Sequence, residues 1–198
     1  MFGPLPGVES GSEFVFPDWS PYTDLDEAAR AYFRDPDMAL EALRTALGGR
    51  QVLGFSLERV VTDDGMVWQE AVVCDGDRLI MWHGEDIPTE ELAEAAPHGA
   101  MTSAIRTIPL KRVSEVGYRQ VMARTESGEL HLHGVDAYIL LESVDEARIV
   151  EREGEQSTMF AHDSVRLGKS IEAGGTGQAQ RLLEFAQLVA GLAGLPLH

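Results

Sequence analysis

Two histidines in the second half of the chain are the residues best placed to do chemistry. His131 and His133 are two positions apart in a run that alternates polar and apolar residues. Side chains two apart on a strand share a face, so both imidazoles could ligate one ion beside Glu129. Zinc would need further ligands, and the candidates are His83, Asp86, His98, His162 and Asp163. The sequence leaves open a metal site on His131, His133, His83 and Asp86, or solvated histidines on a polar sheet face.

A second group of polar residues follows a predicted strand. His83, Glu85 and Asp86 stand where a strand gives way to a loop, a good place for a general acid or base. Cys74 falls in the middle of another predicted strand, where a buried thiol behaves as a small apolar residue. Because the sequence contains no nucleophile elbow and no evident oxyanion donors, we predict no catalytic site.

The acidic excess of the chain limits its partners. It has 33 acidic and 16 basic residues, and its formal net charge is −17. This field repels phosphate backbones and anionic headgroups, so we expect neither nucleic-acid nor membrane binding. The apolar fraction of 44% and the charged fraction of 25% are typical of globular proteins, so we expect a folded body.

The cysteine content and the N-terminus both indicate the cytoplasm. Cys74 is the single cysteine, which excludes an internal disulfide and a zinc site built from several cysteines. Residues 1–6 lack the basic and apolar regions of a signal peptide. The apolar stretch at 182–197 is interrupted by polar residues and is too short to span a bilayer. We therefore expect a cytoplasmic protein.

The first 22 residues differ in character from the rest. They hold four of the nine prolines and show no periodic pattern, which predicts an extended arm over residues 1–22. Its aromatic residues are candidates for partner binding: Phe14, Phe16, Trp19 and Tyr22. Alternatively, they pack on their own domain, which we assign to residues 23–198.

Two short helices are predicted after the arm. Thr23 or Asp24 can cap the first helix, and Pro36 can begin the second because proline fits a first helical turn. Gly48 and Gly49 can adopt the left-handed conformation that ends a helix. The sequence thus predicts an N-terminal helical hairpin.

The middle of the chain alternates apolar and polar residues, which is typical of half-buried strands. Turn residues at 62–65, 75–77 and 127–128 separate the runs. We predict about seven antiparallel strands in one curled sheet or partly open barrel. Separate strands are expected at 130–133 and 137–141.

Three further features complete the predicted fold. Thr89–Ala96 is expected to form a short acidic helix, and Pro109 to mark a sheet edge, a bulge or a strand end. Residues 145–156 are predicted as a long loop or an exposed strand pair. Thr176 can cap an amphipathic helix that closes the chain. The fold class is therefore predicted to be α+β.

A sheet of about seven strands followed by one C-terminal helix resembles the pleckstrin-homology-like barrel, whose helix closes an open end. The segment Ile108-Pro109-Leu110-Lys111-Arg112-Val113 is similar to the link between strands in bacterial members. This resemblance implies a binding module.

A closer resemblance concerns Ala46-Leu47-Gly48-Gly49, the segment 78–86 and the tail around 172–186. These segments are similar to an uncharacterised actinobacterial family known as a domain of unknown function, over about residues 38–193. Some members carry a phosphodiesterase label, which implies a metal-dependent hydrolase. Members also have an insertion with cysteine and histidine late in the sheet, whereas residues 149–159 contain neither.

Three functions remain open from the sequence. We predict a non-catalytic, cytosolic binding or regulatory module for a protein partner, reached through the aromatic arm or an exposed sheet edge. It would need no cofactor. The alternative is a metal-dependent phosphodiesterase-type hydrolase that holds a divalent ion. A third possibility is an acidic regulator that imitates nucleic acid.

Overall fold

The computed structural model describes residues 17–88, 100–152 and 155–195. The α-helices in these ranges are α1 (Leu25–Tyr32), α2 (Pro36–Leu47) and α3 (Ile171–Leu192). The strands are β1 (Gly54–Val61), β2 (Val67–Cys74), β3 (Arg78–Asp86), β4 (Met101–Pro109), β5 (Val113–Arg124), β6 (Leu130–Arg152) and β7 (Glu155–Ser170). The fold is α+β with antiparallel sheets and a C-terminal helix, which confirms the predicted class.

The helical hairpin forms as its local signals predict. The side chain of Asp24, rather than that of Thr23, caps α1 by accepting a hydrogen bond from the Glu27 backbone N–H at 3.1 Å. Pro36 is the first residue of α2. A backbone N–H at this position has no partner within the helix, so the N–H that proline lacks costs no hydrogen bond. The helix ends at Gly48, whose φ of 60° lies in the left-handed region.

Strands β1 to β4 form the first sheet in chain order, and every neighbouring pair is antiparallel. The turn that joins β1 and β2 contains Gly65 with φ 84°, and the turn between β2 and β3 contains Gly76 with φ 95°. Glycine adopts these angles without steric penalty. The turns predicted at 62–65 and 75–77, and the antiparallel strands that they join, are therefore confirmed.

The seven strands do not close into a barrel. They divide into the four-stranded first sheet and a three-stranded second sheet ordered β5-β6-β7. The division falls at Pro109, which ends β4 and precedes a 3-10 turn at Leu110–Arg112. Proline has no N–H to continue the ladder, and the turn redirects the chain into β5. The expectation of one curled sheet or partly open barrel is corrected to two antiparallel sheets.

The second sheet contains a longer hairpin than expected. The strands predicted at 130–133 and 137–141 are parts of the single strand β6, which continues to Arg152, and its partner β7 begins at Glu155. Of the two alternatives for 145–156, the strand pair is therefore the right one. Bulges interrupt the register of β6 with β7 between Leu140 and Glu146, without ending either strand.

The closing helix is preceded by a short extra turn. Helix α3 runs from Ile171 to Leu192, but the non-helical angles of Gly175 divide it, so its longer part begins next to Thr176, the expected cap. The predicted helix at Thr89–Ala96 lies outside the described residues. None of the described helices combines the length and apolar character needed to cross a membrane.

The central strands of the first sheet, β2 and β3, are largely buried on both faces. Helices α1 and α2 cover one face, where the large side chains are Tyr32, Leu40, Phe55, Leu57 and Trp82. The other face packs against the second sheet and α3. Burial on both sides explains why β2 reads as a continuous apolar run at Ala71–Cys74 rather than as strict alternation.

Candidate functional site

The histidine pair lies at an irregularity of β6. His131 is the register partner of Ala123 on β5, but the register shifts after Val121, and His133 has no partner there. Such a bulge interrupts the alternation that would place both imidazoles on one face. His131 is exposed and His133 is half-buried. Their spacing therefore does not by itself make a two-ligand site.

The other two residues of the predicted metal site have different neighbours. His83 packs edge-on against Trp68 with ring centroids 5.4 Å apart, and its Nε2 atom is 3.6 Å from Oε2 of Glu85. The Asp86 carboxylate accepts hydrogen bonds from both terminal nitrogens of Arg34. It also accepts one from the backbone N–H of Val67 at 2.8 Å. The Arg34 guanidinium lowers the pKa of the Asp86 carboxyl. Asp86 thus serves here as an ion-pair partner that ties α1 and α2 to the first sheet.

The remaining candidate ligands are not gathered either. Among the side chains that the structure describes, no three of histidine, cysteine, aspartate or glutamate come together in a way that could hold a metal ion. Asp163 is bound by Arg106, with Nη1 3.1 Å from Oδ1. His98 and the side chain of His162 lie outside the described part of the structure.

The aromatic residues of the predicted arm do not share one environment. Trp19 is fully buried, and its ring lies 5.5 Å from that of Phe55. Trp19 belongs to the core formed with α1 and α2. It therefore packs on its own domain, which was the alternative to partner binding. Tyr22 is 37% exposed. Phe14 and Phe16 lie outside the described residues.

Strand β4 is the most accessible strand of the first sheet. It forms an edge of that sheet, and its one strand neighbour among the described residues is β3. Six consecutive positions, 102–107, are exposed. An edge strand has a row of backbone groups without a ladder partner, and such a row can pair with another chain.

The ladder shows which backbone groups of β4 point outward. At its two ends, Ile87 N–H donates to Ala100 C=O and Leu110 N–H donates to Asp77 C=O, both at 2.8 Å. In an antiparallel pair, the backbone groups of alternate residues bond to the neighbouring strand. On β4, the residues whose N–H and C=O groups point towards β3 are therefore Thr102, Ala104, Arg106 and Ile108. The N–H and C=O groups of the intervening residues point away from the sheet. These outward residues are Ser103, Ile105 and Thr107.

The charge pattern distinguishes β4 from the other sheet edges. In both sheets, the edge strands are β1, β4, β5 and β7. Within its bounds, β4 has one charged residue, Arg106, whereas β1 has Glu58 and Arg59 and the others have more. Charged side chains are a common means of blocking edge pairing. Because Arg106 is bound to Asp163, β4 presents an edge with little electrostatic protection.

Two side-chain contacts hold β4 in place. The indole Nε1 of the fully buried Trp82 donates to Ser103 Oγ at 2.9 Å. On the other side, Arg106 reaches β7 through Asp163, and this contact lowers the pKa of the Asp163 carboxyl. The exposed segment is therefore fixed in an extended form, which reduces the entropy that a binding segment must overcome.

A polar cluster of two buried and two half-buried residues joins the two sheets, and we define it as Tyr32, Lys169, Glu58 and Glu70. The Nζ atom of Lys169 is 2.9 Å from Oε2 of Glu58 and 3.3 Å from the Tyr32 hydroxyl. Glu70 is the register partner of Glu58. Burial, together with the charge of Glu58, raises the pKa of Glu70 to about 7. Burial lowers the pKa of Lys169, against the opposing effect of Glu58.

Sequence reasoning did not identify this cluster or the outward groups of β4. A signal for Lys169 was present, because it continues the two-residue alternation of Val165 and Leu167 and therefore shares their buried face. Pro109 was expected to mark an edge, a bulge or a strand end, and it ends the edge strand β4. The pairing of Glu58 with Lys169 has no local signal.

Comparison of the chain with known protein families, with curated proteins and with solved structures finds no match. The resemblances to the pleckstrin-homology-like barrel and to the actinobacterial family therefore stay predictions. Function has to be argued from the geometry of the described residues.

Proposed function

We propose that this protein is a non-catalytic binding module that takes up an extended segment of a protein partner along β4. The observation that carries the proposal is the set of outward backbone groups at Ser103, Ile105 and Thr107 on a strand exposed over residues 102–107. A partner strand would extend the first sheet by hydrogen bonds to these groups. Side chains on alternate positions of the partner strand would point to opposite faces of the first sheet.

Strand addition fits the chemistry of this edge. Main-chain hydrogen bonds supply affinity without a deep pocket, and the side chains of β4 point above and below the sheet, out of the path of a second backbone. Pro109 has no N–H and belongs to the outward set, so it limits the free edge at that end. The binding segment is thus expected to pair with residues 102–107.

The proposal includes two expectations from the sequence. The division into four and three antiparallel strands followed by α3 supports a relationship to the pleckstrin-homology-like fold, which hosts many binding modules. A cytosolic location is supported by the single cysteine, Cys74, which is free and buried. The hydrolase alternative depends on histidines and acids that the described residues do not gather, so we do not propose it.

The direct test uses two substitutions on opposite edges of the first sheet. Ile105→Pro removes an outward N–H, and the proline ring obstructs the approach of a partner strand, whereas no bond to β3 is lost. Val60→Lys, at a position of β1 that is 44% exposed, is the matched control. The immobilised wild-type chain and both variants would be used to capture partners from an extract of the organism that encodes the protein.

A captured protein would then be purified and its affinity measured by calorimetry. We expect Ile105→Pro to weaken binding by about a hundredfold, because several backbone hydrogen bonds are lost together. Val60→Lys should change the affinity by less than about threefold. Unchanged affinity of the Ile105→Pro variant, or loss of binding with Val60→Lys, would place the partner elsewhere and contradict the proposal.

A further inference from the structure

A surface cavity of about 270 Å³ lies between the start of β1 and α3, away from β4. Its apolar wall consists of Val52, Leu53, Phe55, Phe185 and Leu188. This volume is slightly below the range of about 300–1,000 Å³ that is usual for ligand pockets, so only a small ligand would fit. The wall favours a ligand with an apolar body.

The cavity also contains a cation with an unusual environment. The guanidinium carbon of Arg181 lies 5.2 Å from the ring centroid of Phe55 and 5.6 Å from that of Trp19. These rings hold the side chain by cation–π contact. Among the described residues, no carboxylate forms an ion pair with Arg181, although the chain has a net charge of −17. Its N–H donors are therefore available to a ligand anion.

Among the described residues, neither of the other polar side chains that line the cavity is paired with Arg181. Glu184 lines the cavity and is exposed, and its Oε1 accepts a hydrogen bond from Gln180 Nε2 at 3.1 Å. Thr23 contributes a neutral hydroxyl group. A guanidinium fixed on aromatic rings is suited to bidentate binding of a carboxylate.

We propose that this cavity binds a small amphiphilic carboxylate, with the carboxylate on Arg181 and the apolar chain against Phe185 and Leu188. The site goes beyond the proposed function and does not depend on it. In the first sheet, β1 and β4 are the two opposite edges. A ligand in the cavity and a strand on β4 would therefore occupy separate surfaces.

The test is calorimetric titration of the whole chain with octanoate. We expect saturable binding with one site, and at least about tenfold weaker binding of octanol, which has the same chain length without the charge. Acetate, which lacks the apolar chain, should bind more weakly than octanoate as well. Arg181→Met keeps an apolar stem but removes the guanidinium, and it should weaken octanoate binding about tenfold or more.

Controls separate this site from general attraction of anions. Arg166→Met removes an exposed arginine on β7 and should leave octanoate binding unchanged. Arg181→Lys should lie between the wild type and Arg181→Met, because an ammonium is a point charge without the planar fork. Absence of octanoate binding to the wild type, equal binding of octanol, or full affinity in Arg181→Met would overturn the proposal. Circular dichroism of each variant checks that the fold is retained.

Discussion

The Nζ atom of Lys169 lies 2.9 Å from Oε2 of Glu58, and this ion pair joins the last strand of the second sheet to the first strand of the first sheet. The Lys169 side chain is 2% exposed, whereas that of Glu58 is 23% exposed. A cation at such depth needs its partner, because an unpaired buried charge is strongly unfavourable. The pair therefore fixes how the two sheets meet.

Replacing Lys169 by methionine should destabilise the fold. The change leaves Glu58 without its cation and beside Glu70, so we expect the free energy of unfolding to fall by about 3 kcal/mol. Urea denaturation measures this value. Lys111→Met, at the other lysine of the chain, which is exposed, should change it by less than about 0.5 kcal/mol.

The double variant Glu58→Gln/Lys169→Met tests whether the loss of stability in Lys169→Met comes from the unpaired charge of Glu58. Removing both charges avoids the unpaired carboxylate at position 58, so this variant should be more stable than Lys169→Met alone. If Lys169→Met were as stable as the wild type, the ion pair would have no structural role.

Glu70 should make the stability of the protein depend on pH near neutrality. Its pKa is raised to about 7 in the folded protein, above the ordinary value of 4.5, so the folded state binds this proton more tightly than the unfolded chain. The resulting stabilisation is complete below the ordinary pKa and is lost as pH rises through about 7. The slope cannot exceed about 1.4 kcal/mol per pH unit for one proton.

The matched variants for this prediction are Glu70→Gln and Glu126→Gln. We expect denaturation series between about pH 5 and pH 8 to show a flatter dependence for Glu70→Gln than for the wild type. Glu126 is exposed, and Glu126→Gln should leave the dependence unchanged. A wild-type stability that rises across this range and is insensitive to Glu70→Gln would contradict the prediction.

Gly84 is required by the packing of Trp82. A Cβ atom at position 84 would lie 2.5 Å from Cη2 and 2.6 Å from Cζ2 of Trp82, a side chain that is fully buried. We expect Gly84→Ala to lower the free energy of unfolding by about 1–3 kcal/mol. Gly191→Ala, in α3 with nothing within 4 Å of the added carbon, should instead raise it by about 0.5–1 kcal/mol. Thermal denaturation of both variants distinguishes these opposite signs.

Two neighbouring positions of β4 should respond differently to proline. The backbone N–H of Ala104 bonds to β3, so Ala104→Pro removes a ladder hydrogen bond. We expect this variant to be less stable than the wild type by about 3 kcal/mol. Ile105 faces outward, and Ile105→Pro should change stability by less than about 1 kcal/mol. Equal losses in urea denaturation would show that the alternation of β4 has been assigned incorrectly.

Local signals explain which parts of the fold the sequence predicts. Asp24, Pro36 and Gly48 act through their own backbone neighbourhoods, and the helical hairpin follows from them. The turns at Gly65 and Gly76 do the same for the first three strands. Each of these elements depends on residues within a few positions of one another.

Contacts between distant residues explain what the sequence does not predict. The separation into two sheets depends on how β4 and β5 pack, and periodicity alone does not distinguish this from one curled sheet. Trp19 packs on Phe55 rather than on a partner, which requires knowledge of the folded core. For the candidate site, Pro109 allows the end of β4 to be predicted from the sequence. The outward direction of the Ile105 backbone groups depends on the pairing of β4 with β3, which the sequence alone does not show.

Residue-resolved amide hydrogen exchange shows whether a partner strand pairs with the outward groups of β4. In the free protein, the amides of Ser103, Ile105 and Thr107 should exchange faster than those of Ala104 and Arg106, which bond to β3. On binding of the purified partner, these three amides should slow by about a hundredfold or more. If they stay fast in the complex while protection develops elsewhere, the partner does not bind along β4.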